Sequence, residues 1–363
     1  MQFTEKSQKT IDACRFCWMC RHICPIGNAT GMERNTARAR ALGLSMVYRG
    51  VEKIEESIDN VYECSLCGAC TKECKTGWDP ILFTTEAKLN AAMSGAMPSY
   101  IEKLVENVEK TGNIFGKESY CGKLTEKIAA LPQDADVLLF VGKNQLYTGC
   151  CQVRAAMDVL EKAGVSFAIL SDEPSSGWDL FFLVGSAEET RQTMKACAVA
   201  VNGFKTVVAL DPNDARMFLR QYKEWGIGLE APIVTFTAFV ADLISSGKLM
   251  PKKSEKSYTF QDPASLARDL EEVAPARAII SACGENLEML EHGKDTNLAG
   301  NLIMAQYMPE VIQKVAARRW EEAIRMGVKT VVTANPDDYA ALKETQPEGM
   351  ELVSIQEMVL ASL

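Results

Sequence analysis

The chain has 363 residues, 47% of them hydrophobic, and a formal net charge of −9. That length leaves room for two or three domains with a sizeable core, and the acidic balance argues against nucleic acid as a partner. No apolar run approaches the roughly 18 residues that a membrane span needs. The first ten residues have neither a hydrophobic core nor a small-residue cleavage site, so we expect a cytoplasmic protein without a transmembrane segment.

Two cysteine runs follow in chain order. C-R-F-C-W-M-C-R-H-I-C-P starts at Cys14 and places Cys17, Cys20 and Cys24. C-S-L-C-G-A-C-T-K-E-C starts at Cys64 and places Cys67, Cys70 and Cys74. Both fit C-x2-C-x2-C-x3-C, the spacing that holds [4Fe–4S] clusters in bacterial-type ferredoxins. Three cysteines two residues apart curl a loop around one corner of the cubane. The fourth is carried away along the chain and, in two-cluster ferredoxins, ligates the other cluster. The spacing therefore predicts a first cluster on Cys14, Cys17, Cys20 and Cys74, and a second on Cys64, Cys67, Cys70 and Cys24. Structural zinc explains the pattern less well. It takes two C-x2-C pairs or a mixture with histidine, and the chain has two histidines, His22 and His292. Disulfides do not suit a chain without a secretory signal.

Between Cys24 and Cys64 lie 39 residues rich in Ala, Leu, Met, Glu and Arg, with apolar positions at helical spacing that predict two helices. Arg34, Arg38 and Arg40 read as a solvated helix face or a partner surface. Trp18 and Trp78 are expected to pack over the clusters. Lys75 stands after Cys74 where proline is usual. From Thr84 to about Leu131 the chain reads as helices broken by Gly95, Pro98, Gly112 and Gly116, with Cys121 lacking any sequence neighbour to pair with.

After Asp134 the texture changes. The runs V-L-L-F-V-G, V-S-F-A-I-L, D-L-F-F-L-V-G, K-T-V-V-A-L and P-I-V-T-F-T alternate with amphipathic stretches, the mark of α/β architecture with mostly parallel strands. The theme repeats: V-V-A-L-D-P-N-D at 207–214 matches V-V-T-A-N-P-D-D at 331–338. V-T-F-T-A-F-V-A-D-L at 234–243 matches V-S-I-Q-E-M-V-L-A-S at 353–362. Two matches in one order at nearly equal offsets argue for a duplicated unit. The expected fold is an α-helical ferredoxin module (1–83), a helical connector (84–133) and two duplicated α/β repeats (134–252 and 253–363).

A twin-cluster helical ferredoxin followed by two such repeats resembles the heterodisulfide reductase family, which includes the iron–sulfur subunits of glycolate oxidase and of anaerobic glycerol-3-phosphate dehydrogenase. In that family each repeat carries a Gly-Cys turn, a Cys-Cys-Gly and a late Cys-Pro-x-Cys, and full sets bind a non-cubane cluster. Here the sets are dismantled. Gly149-Cys150 survives, but Ser175-Ser176-Gly177 and Asp211-Pro212-Asn213-Asp214 replace the others in the first repeat. In the second, Gln261-Asp262-Pro263-Ala264, His292-Gly293-Lys294 and Asn335-Pro336-Asp337-Asp338 stand at the three places. Cys121, Cys150, Cys151, Cys197 and Cys283 are too scattered for a third thiolate site, so no non-cubane cluster is expected. Asp211 and Asp214 read as a helix cap with a dipole-stabilising acid behind it, with a hard-metal site as the alternative.

No Ser/His/Asp set, Walker loop or G-x-G-x-x-G after a strand is present, so no catalytic residue is expected. The resemblance implies an electron-transfer subunit with two [4Fe–4S] clusters, serving a flavoprotein partner that carries the FAD and the substrate chemistry. A catalytic reductase with a third redox centre and a scaffold with purely structural clusters are the rival readings.

Overall fold

In the computed structural model, which describes residues 3–132 and 135–363, the chain is helical up to Ala129. The two helices expected between the cysteine runs form as Ala37–Tyr48 and Ile54–Tyr62. Thr36 caps the first by accepting the Ala39 N–H. The helix Pro80–Ser94 runs across the expected boundary at 83/84, and Ser99–Thr111 and Gly122–Ala129 follow it. Gly95 and Gly112 end the first two in left-handed conformations, φ 71° each, a geometry glycine adopts without a Cβ clash. The expected junction at 133/134 lies outside the described residues.

Eight strands then build two sheets of identical topology. The first holds β1 (Val137–Phe140), β2 (Phe167–Ala168), β3 (Thr206–Ala209) and β4 (Ile233–Thr235) in the order β2-β1-β3-β4. The second holds β5 (Ser257–Gln261), β6 (Glu285–Asn286), β7 (Thr330–Thr333) and β8 (Glu351–Ser354) in the order β6-β5-β7-β8. Every pairing is parallel, with Leu138 beside Val207 and Phe260 beside Val332. Strands this apolar need cover on both faces. The helices Cys150–Lys162 and Phe236–Ser245 of the first repeat supply part of it by packing against Ile355–Ser362 and Ala274–Cys283 of the second, so the two sheets share one core.

One run departs from the expected strands. Residues 179–184 lie in the helix Trp178–Val184, all seven of whose residues are buried, and Gly185 ends it. A continuous apolar run fits a buried helix as well as a buried strand, and this one is buried because it packs against Pro80–Ser94 and Ser99–Thr111. The helix Pro309–Arg325 of the second repeat packs on Pro25–Thr30 beside the first cysteine run. Both repeats thus grip the helical module.

Candidate functional site

The two cysteine loops share one backbone feature at residues 16 and 66. Phe16 and Leu66, each just before the second cysteine, take left-handed backbone angles of φ 50° and 53°, a conformation that costs a non-glycine residue about 1–3 kcal/mol. The turn aims the Phe16 N–H at Cys14 Sγ, 3.4 Å away. An arginine from elsewhere ties each loop: Arg38 Nε donates to Phe16 O at 2.9 Å, and Arg268 Nε to Cys67 O at 2.7 Å.

The fourth cysteines leave the loops differently. Cys24 caps the helix Pro25–Thr30, where its sulfur accepts the Gly27 N–H at 3.5 Å and Pro25 fills the first position. Cys74 closes the helix Ala69–Glu73, and with Lys75 in place of proline no helix follows until Pro80.

Mutual electrostatic influence sorts the eight thiols into two sets. Burial, then Cys14 and Cys17, push the Cys20 thiol up to about 11, with Cys74 adding to the rise. Cys14, itself raised by burial, feels Cys74 and Cys17. Burial raises Cys70 well above its ordinary value, followed by Cys64, Cys67 and Cys24. Cys24, raised by burial, feels Cys67 and Cys64. Cys74 therefore lies with the first loop and Cys24 with the second.

All eight are free thiols. Thiols that oppose one another's ionisation suit a centre whose positive charge offsets four thiolates. Among the described residues, no three His, Cys, Asp or Glu side chains converge closely enough for a single metal ion. A cubane makes a looser demand, because it spreads its four thiolates over four irons.

Two buried cations flank the second set. Arg40 is 3% exposed and donates to Asn60 O at 2.7 Å and Asn35 O at 3.3 Å. Burial works to lower its pKa, but Cys64, Cys24 and Cys70 outweigh that and hold it above the ordinary value. Lys88 is fully buried, donates to Phe182 O at 2.8 Å and sits 4.0 Å from the Phe182 ring centroid. Burial lowers it to about 7, with Cys64 opposing the fall. These hydrogen bonds end on backbone carbonyls. A buried cation without a hydrogen-bonded carboxylate is costly unless another anion stands near, and a cluster on four thiolates is such an anion.

Sequence reasoning misplaced several of these residues. Arg40 was expected with Arg34 and Arg38 on a solvated helix face or a partner surface, yet it is buried between the helices around the second set. Trp78 is 3% exposed, but Trp18 is 60% exposed. Trp18 lies under the guanidinium groups of Arg38, 4.5 Å from the ring centroid, and Arg21, at 5.2 Å. Cys121 was expected to stand alone. Its exposed thiol instead lies beside that of Cys150, whose influence lowers its pKa, while burial and Cys121 push Cys150 up to about 11. No sequence signal could have paired them, because the contact joins the connector to the helix Cys150–Lys162.

The replaced cysteine positions form buried polar clusters at the carboxyl ends of the strands. Asp211 and Asn335 cap their helices, accepting from Asn213 N at 2.8 Å and Asp337 N at 2.7 Å. Asp338 accepts the Gly300 N–H at 2.9 Å, and Asn213 Nδ2 reaches Asp337 of the other repeat at 3.2 Å. Burial pushes Asp179, Asp214 and Asp338 to about 7 and Glu173, which accepts the Val141 and Gly142 N–H groups, to about 8. Asp211, Asp338 and Glu173 are consumed by caps and turns. Among the described residues, Asp214 takes only the Ser176 hydroxyl and Asp179 only Asn144, and Asp214 Oδ2 and Asp337 Oδ1 are buried without a partner. His292 is exposed, with Nδ1 2.7 Å from Met289 O.

Residues 10–78 match the 4Fe-4S dicluster domain family. Over longer spans the chain is similar to the D subunit of dihydromethanophenazine:CoB–CoM heterodisulfide reductase. It is 24% identical to that of Methanosarcina barkeri and 23% to that of Methanosarcina acetivorans, in each case over 90% of this chain and 87% of the relative. The Methanosarcina mazei subunit is 24% identical over 75% of this chain and 72% of its own length. No helix among the described residues is long and apolar enough to cross a membrane.

Proposed function

We propose that this chain, an iron–sulfur protein of the heterodisulfide reductase-like family, passes single electrons between a flavoprotein partner and a second carrier. Two [4Fe–4S] clusters would be held by Cys14, Cys17, Cys20 and Cys74 and by Cys64, Cys67, Cys70 and Cys24. When bound, each such cluster supplies a one-electron centre, the step that couples to the two-electron chemistry of a flavin. The observation that carries this reading is the sorting of eight free thiols into two crossed sets.

The remaining residues serve those sets. Arg38 and Arg268 fix the strained turns. Trp78, Leu66 and Tyr62, all buried, keep water from the inner side. Arg40 and Lys88 favour negative charge on the second set, and so favour its reduction. The relatives' name marks them as one subunit of a larger assembly, which supports placing the substrate chemistry in another chain.

The test mixes the iron-loaded chain with flavoproteins encoded beside it and follows cluster bleaching when the flavoprotein's substrate is added. Reduction that requires the flavoprotein is the expected result. Substrate-driven reduction of the chain alone would move the chemistry into this subunit. The relatives' name also supports a second reading, a reductase with a third redox centre. Iron content separates the two: about eight per chain for two cubanes, clearly more for an additional cluster.

A further inference from the structure

A cavity of about 610 Å³ lies where the second cysteine run meets both repeats, within the ~300–1,000 Å³ usual for small-molecule sites. Its lining joins Gly68 and Thr71 of the cysteine run to Phe181 and Trp225 of the first repeat and Arg268 of the second. The chain carries a net charge of −9, yet seven basic side chains line this cavity against five acidic ones.

Two of the cations are short of partners. Arg216 is 4% exposed, and its Nη1 makes no hydrogen bond. Asp269 lies 2.7 Å from its Nε but also takes Arg220 at 3.0 Å, so one carboxylate serves two guanidinium groups. Arg268 donates through Nε to Cys67 O and through Nη1 to Thr296 O, leaving Nη2 buried without a partner. Of the acids, Asp79 is committed to the cap of Pro80–Ser94 and to Thr71, and Glu86 to Thr4. An aromatic pair adjoins Arg216, whose guanidinium lies 5.2 Å from the Phe181 ring centroid. Phe181 and Trp225 lie 5.8 Å apart, and Arg191 covers Trp225 at 4.9 Å.

Partly unpaired guanidinium groups in a low-dielectric wall are satisfied best by an oxyanion, whose oxygens match the guanidinium fork. A carboxylate is filled by one fork, whereas a phosphate presents oxygens to two. The aromatic pair gives a planar ring a surface, and the cavity has room for both parts. We propose that this cavity binds an organic phosphate of mononucleotide size, its phosphate held by Arg216 and Arg268 and its ring against Phe181 and Trp225. The site lies one hydrogen bond from the second cysteine run, through Arg268 and Cys67. It goes beyond the electron-transfer reading and does not require it.

The experiment is calorimetric titration of the full-length, iron-loaded chain with AMP, FMN, pyrophosphate and inorganic phosphate. Saturable one-to-one binding of AMP or FMN is expected, weakened about tenfold or more by Arg216→Gln, as loss of a charge-assisted hydrogen bond predicts. Arg220→Gln is a second variant, removing the cation that shares Asp269 with Arg216, and iron content is measured in each. Two results overturn the proposal: no saturable binding by any probe, or an affinity indifferent to both variants. Inorganic phosphate binding as tightly as AMP overturns the ring contact and with it the organic ligand. The titrations need no flavoprotein, so this proposal and the electron-transfer reading fail separately.

Discussion

The two cysteine runs share a spacing and one strained backbone position, but the protein treats them differently. In the first set Cys17 is exposed and Cys14 and Cys74 are partly so, whereas Cys64, Cys70 and Cys24 of the second are buried. The cations beside the first set, Arg21 and Arg38, lie over an exposed tryptophan and pair with Glu33. Those beside the second, Arg40 and Lys88, are buried against backbone carbonyls. Hydrogen bonds from Lys88 to Phe182 O and from the Tyr62 hydroxyl to Leu183 O join the second set's surroundings to the first repeat, and the Tyr307 hydroxyl ties Tyr62 O to the second. Equal motifs therefore end in unequal environments, one facing outward and one facing the repeats.

The largest test of that contrast asks whether iron is confined to the two sets. A fragment spanning 135–363 is expected to purify without iron, because Asp211, Asp214, Asn335 and Asp338 stand where thiolates would be needed. Stoichiometric iron in it, measured by colorimetric assay, breaks the comparison and revives the third-centre reading. Next comes the crossing itself. Cys74→Ala should roughly halve the iron, removing the Cys14–Cys20 cluster while the second set keeps its own. Spectroscopic loss of the second cluster instead would reverse the pairing.

The buried strand ends next to the second set give a stability effect with a definite sign. Burial holds the Asp214 carboxyl at about 7, above its ordinary 3.8. A raised folded-state pKa gives stability that is fully present below the unfolded value and is lost as pH rises through about 7. Three units correspond to up to about 4 kcal/mol. Asp214→Asn should therefore melt later than the parent at pH 8 and nearly together with it at pH 4. A parent that stabilises steadily between pH 5 and 8 contradicts this.

A subtler probe is Lys88→Met, which keeps the buried stem and removes the charge. The second cluster's reduction potential should fall by tens of millivolts, since each kcal/mol is about 40 mV for one electron, while the first stays put. Equal shifts in both potentials would mean that Lys88 does not distinguish the sets.

Much of this arrangement could be read from residue spacing. The cysteine motifs, the helices between them and the duplicated strand-to-helix loops are local patterns, and each carries its own period or cap. Asp211 and Asn335 are caps because an acid or amide before proline satisfies the helix's open N–H groups. What spacing cannot carry is the partner of a surface made elsewhere in the chain. Arg40 looks like its neighbours Arg34 and Arg38 until the helix Ile54–Tyr62 covers it. Residues 179–185 resemble a strand until two helices bury them on all sides. Arg268 reaches Cys67 across 201 positions, and no periodicity reports that.

The two tryptophans give the smallest and most local test. Trp18 follows Cys17 as Trp78 follows Gly77, and from sequence both were expected to cover a cluster. Trp78 is buried, so Trp78→Ala removes a large core side chain and should cost about 3–5 kcal/mol in thermal or denaturant unfolding. Trp18 is held at the surface by two arginines, contacts worth about 0.5–1 kcal/mol each at exposed sites, and those arginines keep Glu33 when the ring is removed. Trp18→Ala is therefore expected to leave iron content unchanged and to shift stability by no more than about 2 kcal/mol. Loss of iron from the first set in that variant would mean the ring shields the cluster after all, and the outward-facing set would then be as enclosed as the inner one.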